Sequence, residues 1–146
     1  MPRLSQVMIR TALIWLGVGF TLGGLLLWHQ GVPLSPWLLT LRQAHVHMLL
    51  VGWTVQLAYG TAFWIFPRLD ARGTRGDVRL VWLCYGMLNG GVLLAALYDL
   101  ARVLVGTGGI GVMPVLAGLL YLGATIAFLV NAWPRVISFR TLPRPE

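Results

Sequence analysis

Two histidines separated by a single residue, His45-Val46-His47, are the part of this sequence best suited to chemistry, and the third histidine, His29, lies sixteen residues upstream of the first. Imidazole is a ligand for iron, copper and zinc and can also carry protons near neutral pH. Spacing limits what this pair can do. On an α-helix, residues two apart are rotated by roughly 200°, so the rings project from nearly opposite faces and cannot chelate one ion together. A pair four apart would predict a single zinc or copper site. The observed spacing predicts two sites, one on each side of the helix, each completed by a different neighbour.

Other groups cluster at the same depth. Arg42 stands about one turn before His45, and Arg102 follows the third apolar block on the same side. They are candidates for pairing with an anionic cofactor edge such as haem propionates, or else interfacial anchors. Tyr98 and Asp99 end that block, and an Asp99–Arg102 pair one turn apart is the plainest local explanation for both charges. An unbroken α-helix places Gly52, Gln56 and Tyr59 on the His45 side and Thr54, Ala58 and Thr61 on the His47 side, so a flat macrocycle or another helix could rest on either face. Gln56, Asn89 and Asn131 are expected to bond between helices. The lone cysteine, Cys84, sits among apolar residues and reads as core packing; with one thiol there is neither an intrachain disulfide nor a Cys-x-x-Cys site.

The elements that hold these residues follow from composition. Hydrophobic residues make up 58% of the 146 positions and charged residues 10%, far from the balance of a water-soluble domain. Four apolar blocks, about 11–28, 44–66, 80–100 and 111–133, approach the roughly 20 residues needed to cross the hydrocarbon. They must be helices, because an open sheet would leave backbone groups unpaired in lipid. The fold expected is all-α, a single four-helix membrane domain over 1–146.

All eleven basic residues are arginines, in or beside the segments between blocks. Nine of them (Arg3, Arg10, Arg68, Arg72, Arg75, Arg79, Arg135, Arg140, Arg144) fall on one side and two (Arg42, Arg102) on the other. That asymmetry places both termini in the cytoplasm and the histidines at the outer surface, and it explains the +7 net charge without nucleic acid. The first block lacks a small-x-small cleavage site and is expected to be retained as a helix. Pro33, Pro36 and Trp37 make the first outer loop an irregular interfacial segment.

The stretch from His45 through Met48, Gly52 and Trp53, continuing to Gly60 and Pro67-Arg68, resembles the second-helix motif of the haem–copper oxidase subunit I superfamily, and is similar above all to its NnrS branch and to small cytochrome oxidase subunit I-like membrane proteins. It covers about one sixth of the chain; one departure is Met48, where NnrS-like proteins commonly carry Glu. The resemblance implies haem b as cofactor, with His45 and His47 as iron ligands and Gly52, Arg42 and Arg102 beside it. Subunit I has twelve helices in pseudo-threefold arrangement, so four-helix chains imply a homotrimer. In it, bis-histidine haem would sit between protomers, each interface taking one histidine from each neighbour. Such a centre suits electron transfer with a redox partner, or haem-dependent gas response, in a bacterial or archaeal inner membrane. A complete oxidase is not expected, because too few histidines remain for a second metal. Two other readings stay open from the residues: a copper-binding protein using His29, His45 and His47, and a cofactor-free accessory subunit of a respiratory complex.

Overall fold

The computed structural model describes residues 1–69, 73–105 and 108–137, and the regular elements among them are all helical. Helix α1 covers Arg3–Gly31. A 3-10 turn, Pro36–Leu41, leads into α2 (Arg42–His47), a π-helical segment (Met48–Val55) and α3 (Gln56–Ile65), forming one rod. Helices α4 (Val78–Val105) and α5 (Val112–Ile137) complete the described chain.

Four helical rods, Arg3–Gly31, Pro36–Ile65, Val78–Leu104 and Val112–Val136, are each long and apolar enough to cross a membrane. Their shortest has 25 residues, or about 38 Å at 1.5 Å per residue, against roughly 30 Å of hydrocarbon. The expected blocks fall on these four rods. Most of the rods run further at their ends than hydropathy indicated, because backbone hydrogen bonding continues into the polar flanks. The second rod is the least apolar of the four, and it is the one that carries His45 and His47.

Large apolar side chains cover the outside: Phe20, Leu27, Ile65, Leu104 and Trp133 are all more exposed than buried. Water would penalise such a surface heavily, whereas lipid solvates it. The core is concentrated toward the Arg-rich end, where Leu4, Met8, Phe63, Val81, Cys84, Leu88 and Phe128 pack together with small alanines of α5. Cys84 is fully buried there, as a core thiol should be.

Buried amides lock the helices to one another. Gln56 donates to the Met8 carbonyl at 3.1 Å and accepts from Asn89 at 2.8 Å, while Trp15 donates its indole N–H to Asn89 at 2.7 Å. One chain of bonds thus ties α1, α3 and α4, as the positions of Gln56 and Asn89 suggested. Asn131 behaves differently: it donates to the carbonyls of Arg75 and Asp77, clipping the loop before α4 rather than a neighbouring helix.

The π-helical segment changes the faces expected below the histidines. Each wide turn lags an α-helix by about one residue, roughly 100°. Tyr59 therefore leaves the His45 side: it stacks on Phe128 of α5 with centroids 4.1 Å apart and donates to Thr125. Gly52 is also filled, because Trp15 of α1 lies where its Cβ would be, 2.7 Å from the indole Cγ. It is a helix-packing glycine, and the expectation that it faces a cofactor is corrected.

The Arg-rich end gathers Arg3, Arg75 and Arg135, and the histidines occupy the other. Arg72, Arg140 and Arg144, which entered the arginine comparison, lie outside the described residues.

Candidate functional site

His45 and His47 face different neighbours. The His45 imidazole crosses to α1, where its Nδ1–H donates to the Gly19 carbonyl at 2.8 Å. A carbonyl only accepts, so Nδ1 carries the proton, and the lone pair of the neutral ring stands on Nε2. This is the arrangement by which proteins orient a metal-binding histidine: one nitrogen held by a backbone carbonyl, the other left to a ligand. Four residues along α1, Gly23 makes room for the ring; a Cβ there would lie 2.5 Å from His45 Cε1.

The half-buried ring borders a cleft of about 490 Å³ between α1 and the second rod. Its floor includes Gly23, Gly24 and Leu49, its wall Phe20 and Leu27, and its polar rim Arg42 and Gln30. That volume lies within the range of small-molecule and cofactor sites. The combination is an apolar slot with one oriented imidazole and one cation at its mouth.

His47 turns the other way, toward α4 and α5. Its ring lies 5.7 Å from that of Tyr121, centroid to centroid, with Nδ1 and the Tyr121 hydroxyl 3.4 Å apart. A smaller cleft of about 200 Å³ adjoins it, bordered by Gln43, Tyr98, Asp99 and Tyr121. The two rings therefore open on separate clefts on opposite sides of the second rod.

Asp99 is fixed differently from expectation. It is 1% exposed, and its Oδ2 accepts the Ala44 N–H at 2.6 Å. A carboxylate here holds the first turn of α2, the turn that carries His45, in place of a free backbone donor. The local pair with Arg102 is corrected accordingly: Arg102 lies over the Tyr98 ring, 5.6 Å from its centroid, and borders neither cleft. Arg42 does border the His45 cleft.

His29 has a structural task. Its Nδ1 accepts the N–H groups of Leu34 and Ser35 at 3.0 and 3.3 Å, pinning the turn that redirects the chain into the 3-10 segment. Among the described residues no three His, Cys, Asp or Glu side chains are grouped to hold a metal ion. The histidine trio of the copper reading is therefore not assembled within one chain.

No family model, curated protein or solved structure matches this chain.

Several contributors to the site escaped the sequence reading. Gly19 and Gly23 support His45 from α1, and their four-residue spacing is a small-xxx-small stripe visible in the sequence. Tyr121 beside His47 carried no such signal, because an aromatic residue in an apolar span is ordinarily packing.

Proposed function

We propose that this chain is a haem b-binding electron-transfer protein of a bacterial or archaeal inner membrane, related to haem–copper oxidase subunit I, with both termini cytoplasmic and its histidines at the outer surface. The observation that carries the reading is the hydrogen bond from His45 Nδ1 to Gly19, which leaves the lone pair on Nε2 of a ring that borders an open apolar cleft.

The residues fit the cofactor. The cleft has an imidazole with a defined tautomer, Gly24 with open space beside it, and Arg42 among its lining residues for a propionate. It is open on one side, so lipid or a second copy must supply the opposite wall. His47, on the far face of the same rod, is available to provide a second ligand to a neighbouring copy. A closed ring of such heterologous contacts gives every protomer one donor of each kind, and three copies would bring twelve helices together.

Bound between protomers, haem would supply a one-electron Fe(III)/Fe(II) couple with two imidazole ligands and no vacant position, which favours electron transfer over gas binding. The chain's own residues would do three things. Gly19 would keep the His45 proton on Nδ1, Arg42 would neutralise a carboxylate, and the Tyr121 hydroxyl would accept a hydrogen bond from His47 Nδ1–H, leaving the lone pair on that ring's Nε2.

The test is the absorption spectrum of purified protein with a pyridine haemochrome assay. One haem b per protomer, lost in both His45→Ala and His47→Ala, is the expected result. Colourless protein after expression with ample haem, or an unchanged low-spin spectrum in both variants, overturns the reading.

A further inference from the structure

At the end of the molecule opposite the histidines, a second cavity of about 440 Å³ lies between the start of α1, the loop preceding α4, and α4 itself. It is amphipathic. Arg3 and Arg75 border it, and Leu4, Phe63, Val78 and Trp82 form an apolar wall.

No carboxylate among the described residues borders this cavity. The whole chain has four carboxylate side chains, and of the two in described residues Asp99 is at the histidine end. The other, Asp77, accepts the Arg79 N–H at 2.9 Å as the cap of α4 and does not border the cavity. Arg75 keeps a buried Nε without a hydrogen-bond partner. Behind Phe63, Arg135 is 0% exposed; it donates to the carbonyls of Phe63, Phe66 and Pro67, yet its Nη1 is buried and unpartnered. Its guanidinium carbon lies 5.1 Å from the Phe63 ring centroid. Half-buried Arg75 at the cavity and buried Arg135 against Phe63 thus each keep one buried donor atom without a partner, and the cavity has one cationic and one apolar lining.

Among the described residues, Asn131 fastens the carbonyls of Arg75 and Asp77 to α5, and Leu69 N–H donates to the Thr74 carbonyl at 2.9 Å, so the segment that carries Arg75 is tied to its neighbours.

We infer that this cavity binds the phosphate headgroup of an anionic glycerophospholipid, with the phosphate between Arg3 and Arg75 and the start of an acyl chain against Leu4, Phe63 and Trp82. A phosphodiester carries negative charge to Arg3 and Arg75 and accepts from guanidinium groups through charge-assisted hydrogen bonds. The adjoining apolar wall distinguishes a lipid from a free ion. Basic pockets between transmembrane helices hold anionic headgroups in this manner. The inference does not depend on haem.

Native mass spectrometry of the full chain in mild detergent tests it, with phosphatidylglycerol, phosphatidylcholine or inorganic phosphate as the added probe. Phosphatidylglycerol should be retained at least tenfold better than phosphatidylcholine, and millimolar inorganic phosphate should fail to displace it. Arg75→Gln and Arg3→Gln should each weaken retention roughly fivefold, since one arginine near a membrane surface is worth about that factor. Arg10→Gln, at an exposed arginine outside the cavity, should leave retention unchanged. If Arg75→Gln fails to fold, Arg3→Gln alone decides. Equal retention of the two lipids, displacement by inorganic phosphate, or unweakened binding in the folded cavity variants overturns the proposal.

Discussion

Replacing Gly23 by alanine should strike the candidate site through one methyl group. The new Cβ would stand 2.5 Å from His45 Cε1 and 3.1 Å from Nδ1. Carbon atoms in comfortable contact are about 3.5 to 4.0 Å apart, so the ring must retreat by roughly 1 Å. The 2.8 Å bond from Nδ1 to the Gly19 carbonyl cannot stretch that far and survive. Without it the tautomer is no longer fixed, and losing such an outer partner typically weakens a metal site by about 10- to 100-fold. Overpacking should also cost about 1 to 3 kcal/mol of stability. The assay is haem titration followed at the Soret band, with far-ultraviolet circular dichroism to confirm that the helices remain. Gly17→Ala is the control, because a Cβ at that position meets nothing within 4 Å and it does not border the cleft. Haem affinity in Gly23→Ala within twofold of the unaltered protein would show that His45 does not need this clearance to bind haem.

Other expectations follow from the packing. Gly52→Ala sets a methyl 2.7 Å from Trp15 Cγ and should lower stability by about 1 to 3 kcal/mol in a reversible unfolding titration; a normal unfolding curve with selective haem loss would instead make Gly52 a cofactor contact. Asp99→Ala removes the acceptor of the Ala44 N–H and should cost about 1 to 2 kcal/mol, whereas Asp99→Asn, which keeps a cap, should cost less in the same thermal melts. Arg135→Leu strands three carbonyls at the end of α3 and should destabilise by at least about 3 kcal/mol; a loss below about 1 kcal/mol in the unfolding titration would show that these bonds contribute little.

Hydropathy and arginine placement made the four rods legible, because crossing lipid imposes a length and a composition that few other folds need. The divergence of His45 and His47 was legible too, since the two-residue offset acts before the π-helical segment begins at Met48. What lay below was not. Nothing in Met48-Leu49-Leu50-Val51-Gly52-Trp53-Thr54-Val55 marks a wider helix in the sequence, and the rotation it introduces moved Tyr59 to the α5 side. Asp99 misled for a different reason: Arg102 is near in sequence, but the Ala44 N–H, 55 residues away, is the partner the fold brings to it. His29 could not be separated from a metal ligand by composition, because its two backbone donors appear only once the chain turns at Leu34 and Ser35.

Complementation between single variants tests the central claim most directly. His45→Ala and His47→Ala protomers, expressed separately, should each lack low-spin haem; expressed together, they should recover part of it. Recovery is expected because an intact His47 from one variant then meets an intact His45 from the other across the shared interface. A mixed oligomer that forms but stays colourless, while the unaltered protein binds haem, would contradict the account.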